Sequence, residues 1–270
     1  MATHITSTSG DLDPRLARQL APQLDAGGRL LGLGYAGSIS HNTHVPSRDP
    51  ASIDDVDLLG VLLPGPRDLL GLDRWEHAVL QEDELDVTVF ALAKLVRLLL
   101  GGNPNVMPLL WLRPEHYLVR TEAFDRLLAL RDAFSSRRAH ATYASYARSQ
   151  LRDLAKRRYA GYAAEHRGAL AARLGFDPKA AAHAVRLLRM GEEFLRTGKL
   201  RVYRTTDAEE LRAIKRGEWS LAAVEREAER GFAALDTALA VSPLPLEPDR
   251  TRAEAFLVET TLNHLRASAV

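Results

Sequence analysis

Residues 54–66, DDVDLLGVLLPGP, place two carboxylates at alternate positions, Asp55 and Asp57, at the start of an apolar run closed by Pro64-Gly65-Pro66. An apolar segment of this length ending in proline and glycine reads as a buried strand running into a turn. Residues two apart on a strand share a face, so Asp55 and Asp57 point the same way. Asp54 belongs to the opposite face if the strand has begun, and reads as a turn or cap residue. Upstream, LLGLGYA (30–36) is a second strand, followed at once by Gly37-Ser38. Downstream, ELDVTVF (84–90) alternates, with Leu85, Val87 and Val89 on one face and Asp86, Thr88 and Phe90 on the other.

Around these three strands the signals are helical. A short helix is expected over 16–24, broken by Gly27-Gly28, and another over 69–78. From Ala91 the period changes, with Leu92, Leu95, Val96 and Leu99 at helical spacing up to Gly101-Gly102. Asn103-Pro104-Asn105 signals a turn before a short helix at 106–112. Beyond Pro114 strand signals nearly vanish. Helices are expected at 121–133, 136–172, 178–197, 207–216, 220–239 and 251–267, with Asp177-Pro178 as N-cap and first-turn proline. The expected fold class is therefore α+β, with a mixed sheet and flanking helices in residues 1–118 and an all-helical part in residues 119–270.

The 270 residues are 46% hydrophobic and 26% charged, which excludes disorder over most of the chain. No apolar run reaches the ~20 residues that span a bilayer, and the polar, acidic start does not resemble a secretory signal. Cysteine is absent, which removes disulfides, thiol catalysis and cysteine-ligated zinc. A cytoplasmic location fits. The formal net charge of +1 hides an asymmetry: residues 137–216 hold 19 Lys/Arg against 8 Asp/Glu. A localised basic block attracts polyanions even on a nearly neutral chain, although solvated helix faces give the same count.

If the strands bearing Asp57 and Asp86 are neighbours, Asp55, Asp57 and Asp86 converge. Grouped carboxylates repel unless cations compensate, and hard divalent ions, Mg²⁺ above all, take oxygen ligands. Two such ions activate an attacking hydroxyl and stabilise a leaving pyrophosphate. A Gly-Ser turn at a strand end offers backbone N–H groups and a hydroxyl to phosphate oxygens. Lys179, His183, Arg186 and Glu193 follow at spacings of four, three and seven on one helical stripe, beside an apolar stripe of Ala181, Ala184, Val185 and Leu188. The cationic stripe suits triphosphate or acceptor phosphates, with an exposed charged face as the plainer alternative. Tyr143, Tyr146, Tyr159 and Tyr162 lie among arginines, a pattern that serves either base stacking or a helix core. Lys156-Arg157-Arg158 is the best single candidate for RNA contact, with a solvated charge cluster as the equally ordinary alternative. A zinc site at His41 and His44 lacks a well-spaced third nitrogen ligand.

The ordered set of strand, Gly-Ser, D-x-D and inward Asp resembles the DNA polymerase β superfamily of nucleotidyltransferases. GSISH (37–41), SIDDVDLLGVLLP (52–64), the Gly102-Asn103-Pro104-Asn105 segment, DPKAAAHAVRLLRMGEEFLRTGKL (177–200) and ELRAIKRGEW (210–219) are similar to the branch of bacterial and phage nucleotidyltransferases associated with RNA repair. The resemblance implies Asp55, Asp57 and Asp86 as catalytic metal ligands for two Mg²⁺ ions. It implies Gly37 and Ser38 as the triphosphate turn, and His41, Lys179, His183 and Arg186 as nucleotide contacts. The implied reaction moves a nucleoside monophosphate from ATP or another NTP to an acceptor hydroxyl, with an RNA 3′ end foremost. Nucleotidylation of a small molecule or protein side chain, or a non-catalytic nucleotide-binding or antitoxin-like role, are the alternatives. The 16 residues between Ser38 and Asp55 exceed the spacing expected of the branch, which implies an extra loop over about 42–53.

Overall fold

The computed structural model describes residues 14–45, 54–83, 85–154 and 164–268. Helix α1 (Pro14–Asp25) leads to strand β1 (Arg29–Tyr35) and a single helical turn, α2 (Gly37–Ser40). Then come β2 (Val56–Leu63), α3 (Pro66–Leu70), β3 (His77–Glu82), β4 (Leu85–Ala91) and α4 (Leu92–Leu100). Tight helical turns at Met107–Trp111 and Pro114–His116 precede β5 (Tyr117–Arg120). The remainder is helical: α5 (Glu122–Ala129), a 3-10 turn at Arg131–Phe134, α6 (Arg138–Asp153), α7 (Ala164–Leu174), α8 (Pro178–Thr197), α9 (Ala208–Lys215), α10 (Leu221–Ala240) and α11 (Arg250–Ser268).

The strands form one mixed sheet in the order β3-β4-β2-β1-β5. Only β2 and β4 run parallel; the other neighbours are antiparallel. The two apolar faces of the sheet go to different cores. Leu33, Leu58, Leu62, Val87 and Val89 pack with Leu16 and Leu20 of α1. Leu31, Leu59, Val61 and Leu63 face the opposite way, into a larger cluster with α4, Phe124, Tyr143, Leu188, Phe194 and Leu235. Alternation along β2 and β4 decides this partition, and it puts Asp57 and Asp86 on the helix-rich side.

Two expectations are corrected. The helix expected over 69–78 stops at Leu70, and His77–Glu82 is instead β3, hairpinned to β4 through Asp83 in a left-handed conformation (φ 51°). Its exposed edge position gives it little apolar patterning to read. Strand signal was also expected to end at Pro114, yet β5 pairs with β1. At four residues it is too short to show a period, and 118/119, the expected boundary between the two parts, falls inside it. Of the helix expected over 136–172, α6 ends at Asp153 and α7 begins at Ala164. Lys156, Arg157, Arg158, Tyr159 and Tyr162 lie outside the described residues.

Helix α8 is the hub of the helical side. Asp177 caps it, accepting from the Lys179 and Ala180 amides, and is itself held by Arg167. Ala181, Ala184, Val185 and Leu188 are buried. The opposite stripe faces the sheet.

Candidate active site

Between the C-terminal end of β1, the N-terminal ends of β2 and β4 and the half-buried cationic stripe of α8 lies a cleft of about 620 Å³. Gly37, Ser38, His41, Asp57, Asp86, Lys179, His183 and Arg186 all line it. Residues 140 positions apart meet here because β2 and α8 bury their apolar faces on either side of one core.

Asp57 and Asp86 are direct register partners on the parallel strands β2 and β4. The Asp57 carboxyl is pushed up to about 6, chiefly by burial; Lys179 opposes this, while Asp86, Asp55 and Asp54 add to it. Asp86 accepts a hydrogen bond from Gln81 Nε2 at 2.9 Å. Asp55 sits just before β2, with Oδ2 3.4 Å from Lys179 Nζ and a buried Oδ1 that has no hydrogen-bond partner. Among the described residues, no three His, Asp or Glu side chains cluster closely enough to hold a metal ion. The expected convergence of three carboxylates is therefore a register pair with a third turned to Lys179. Repulsion explains the splay: each acid takes the nearest compensating donor.

The donor chemistry nonetheless fits a hard divalent cation. The candidate ligands are all oxygens, and one buried Asp55 oxygen has no hydrogen-bond partner.

Gly37 carries φ +52°, and a Cβ built there would sit 1.7 Å from Asp57 Oδ2. The glycine is needed twice, for its backbone conformation and for the close approach to the carboxylate. The Ala36 amide donates to the Asp57 carbonyl at 2.8 Å, fixing the Gly-Ser turn to β2. The Ser38 hydroxyl lies 3.1 Å from His44 Nδ1. His41 is 3% exposed, with Nδ1 3.0 Å from the Val202 carbonyl.

Across the cleft, Arg186 is half-buried, and burial lowers its pKa to about 10. Among the described residues no carboxylate lies within ion-pair distance of it. Burial also pushes His183 well below its ordinary range, with Arg186 adding to the effect, and its Nε2 is buried without a partner. One wall of the cleft thus holds a guanidinium with no carboxylate partner among the described residues and a buried ring nitrogen with no hydrogen-bond partner. Asn103 and Asn105 line the cleft too; Asn103 donates to the Tyr146 hydroxyl and accepts from the Asn105 amide.

Sequence reasoning missed Lys215. Its ammonium bonds both oxygens of Asp54, at 2.8 and 2.9 Å, and the Thr43 carbonyl. Asp54 also accepts from the Val45 amide at 2.8 Å, the cap-like role expected of it. Lys215 thus ties both Thr43 and Asp54 to α9. Its only sequence signal was its place in the 210–219 stretch. Pairing also explains why the basic block overstates free charge: Arg189, Arg196, Arg204, Arg212 and Arg216 are all engaged by carboxylates.

Residues 44–219 match the family model RlaP, described as the RNA repair pathway DNA polymerase beta family. Among solved structures, a nucleotidyltransferase-like protein from Exiguobacterium sibiricum is 14% identical, over 91% of this chain and 78% of that one, with a TM-score of 0.29. No curated protein matches the chain. No helix among the described residues is long and apolar enough to cross a membrane.

Proposed function

Because the chain belongs to the RNA repair pathway DNA polymerase beta family of nucleotidyltransferases, we propose that it transfers a nucleoside monophosphate from an NTP to the 3′ hydroxyl of an RNA, releasing pyrophosphate. The observation that carries the reading is the Asp57–Asp86 register pair facing the cationic stripe of α8 across one cleft. Carboxylates on one wall and cationic side chains on the other suit a metal-bound triphosphate.

Asp57 and Asp86 would hold Mg²⁺, with Asp55 joining them once its contact with Lys179 is released. Bound there, the ion would screen phosphate charge and acidify the attacking hydroxyl. The residues of the chain supply the rest. Ser38 and the main chain at Gly37 receive phosphate oxygens. Arg186 and Lys179 neutralise the triphosphate from the helix side, where Arg186 gains the anionic partner it lacks. Asp86 takes up the proton of the acceptor hydroxyl as its oxygen bonds to the α-phosphorus. The bond from that phosphorus to the β-phosphate oxygen breaks, and pyrophosphate leaves. The family's RNA-repair association and the basic stretch 156–158 favour RNA as the acceptor.

The test is incubation with each labelled NTP, Mg²⁺ and RNA carrying either a free or a blocked 3′ end, reading extended RNA and pyrophosphate. Extension of only the free end is expected. Labelling of protein or metabolites but not RNA would reassign the acceptor, and no pyrophosphate with any acceptor would refute the reading. Asp57→Asn is expected to keep the fold by circular dichroism and to abolish turnover, because positioned charge supplies most of the rate.

A further inference from the structure

We propose that His41 reads a ribose hydroxyl through the lone pair of its Nε2, making the site selective for ribonucleotides. The inference rests on the nucleotide-transfer reading above and goes beyond it. A carbonyl oxygen can only accept, so the 3.0 Å contact with Val202 requires the proton on Nδ1. A neutral ring with Nδ1–H has a bare Nε2, and this ring lines the cleft. The surroundings keep it neutral: burial drives its pKa well below the usual value, Arg186 adds to this, and His183 and Arg204 reinforce it, against a smaller opposing effect of the Val202 contact. The ring therefore has no second proton for a phosphate oxygen. What it offers the cleft is an acceptor, and the natural donor on a nucleotide is a sugar hydroxyl.

The ring is also held in place. Arg204 N donates to the His41 carbonyl at 3.2 Å, Asn42 Nδ2 to the Arg204 carbonyl at 2.8 Å, and Arg212 Nη1 to the Asn42 carbonyl at 2.6 Å. A histidine serving only as packing would not need to line the cleft. The hydroxyl belongs either to the donor NTP or to the terminal ribose of the acceptor, and the two are separable.

The experiment compares equilibrium binding of ATP, 2′-deoxy-ATP and 3′-deoxy-ATP, and of oligonucleotides ending in a ribo- or 2′-deoxynucleotide, to the wild-type protein and to His41→Asn. The asparagine Nδ2 can still donate to Val202, while its Oδ1, bonded directly to Cγ, falls short of the position that Nε2 holds. The wild type is expected to bind one hydroxylated ligand about tenfold better than its deoxy counterpart, the size of one lost hydrogen bond, and His41→Asn should abolish the difference, whereas a difference kept in His41→Asn would overturn the proposal. Discrimination among the triphosphates assigns the hydroxyl to the donor; discrimination among the oligonucleotides alone assigns it to the acceptor. ATP binding with no discrimination in either series overturns the proposal and leaves the transfer reading standing, whereas no ATP binding at all sinks the transfer reading. Should His41→Asn fail to fold, ¹⁵N NMR of the wild-type ring decides: a neutral Nδ1–H ring in the complex supports the proposal, and an imidazolium overturns it.

Discussion

Replacing Gly37 with alanine separates catalytic geometry from backbone strain. The added Cβ would stand 1.7 Å from Asp57 Oδ2, against a floor of 3.0 Å for real contacts, so the carboxylate must retreat by about 1.3 Å. The left-handed φ of +52° adds roughly 1–2 kcal/mol of strain for a residue with a Cβ. A misplacement of about 1 Å at a reacting centre costs on the order of 10²-fold in rate. Gly175 supplies the control. Its φ is +80°, but a Cβ there meets nothing within 4 Å. Gly175→Ala should therefore lose near ~1–2 kcal/mol in urea titrations, and Gly37→Ala more than that, since it also displaces Asp57. Only Gly37→Ala should lose about 100-fold in kcat for nucleotide transfer, measured by pyrophosphate release. If Gly37→Ala turns over within a factor of two of the wild type, Asp57 is not positioned by this glycine, and the catalytic role of the pair falls with it.

Arg186→Met should raise the melting temperature slightly, because it removes a half-buried guanidinium that has no carboxylate partner among the described residues, while weakening ATP binding at least tenfold; unchanged affinity by titration calorimetry would count against an anion site. Lys215→Met leaves buried Asp54 with the Val45 amide and a Lys179 ammonium at 4.0 Å in place of its close ion pair, and should cost about 3 kcal/mol in urea unfolding, with much of the loss restored in the Lys215→Met, Asp54→Asn double variant. Burial alone would raise the Asp207 carboxyl, but the hydrogen bonds and charge of Arg204, with those of Arg189, outweigh it and hold it below its ordinary range. A depressed folded-state value means that this contribution is complete above the unfolded pKa and fades as pH falls through the folded one. Stability should thus drop below about pH 4, and Asp207→Asn should be less stable at neutrality yet converge on the wild type in acid.

The alternation in Leu85-Asp86-Val87-Thr88-Val89 and the apolar run after Asp57 are local patterns, and they set the strands and their faces before any long-range contact is considered. The same holds for α8, whose cap at Asp177 and two stripes were legible from spacing alone. Strands β3 and β5 were not legible, because an edge strand with one exposed side and a four-residue strand owe their state to a hydrogen-bonded neighbour rather than to their own pattern. In the site, the residue types and their order along the chain named Asp57, Asp86, Gly37 and the α8 stripe. That Asp57 and Asp86 stand in register, that Asp55 turns to Lys179 and that Lys215 anchors Asp54 depended on tertiary packing.

The sequence by itself thus determined the α+β class, the sheet faces and the chemical kinds of side chain available, since these follow from periodicities of two and 3.6 residues. Only the tertiary structure decided which donors meet, because a carboxylate takes whichever cation the packed core brings within about 3 Å, and the ring proton of His41 goes to the carbonyl that a loop 161 residues away presents.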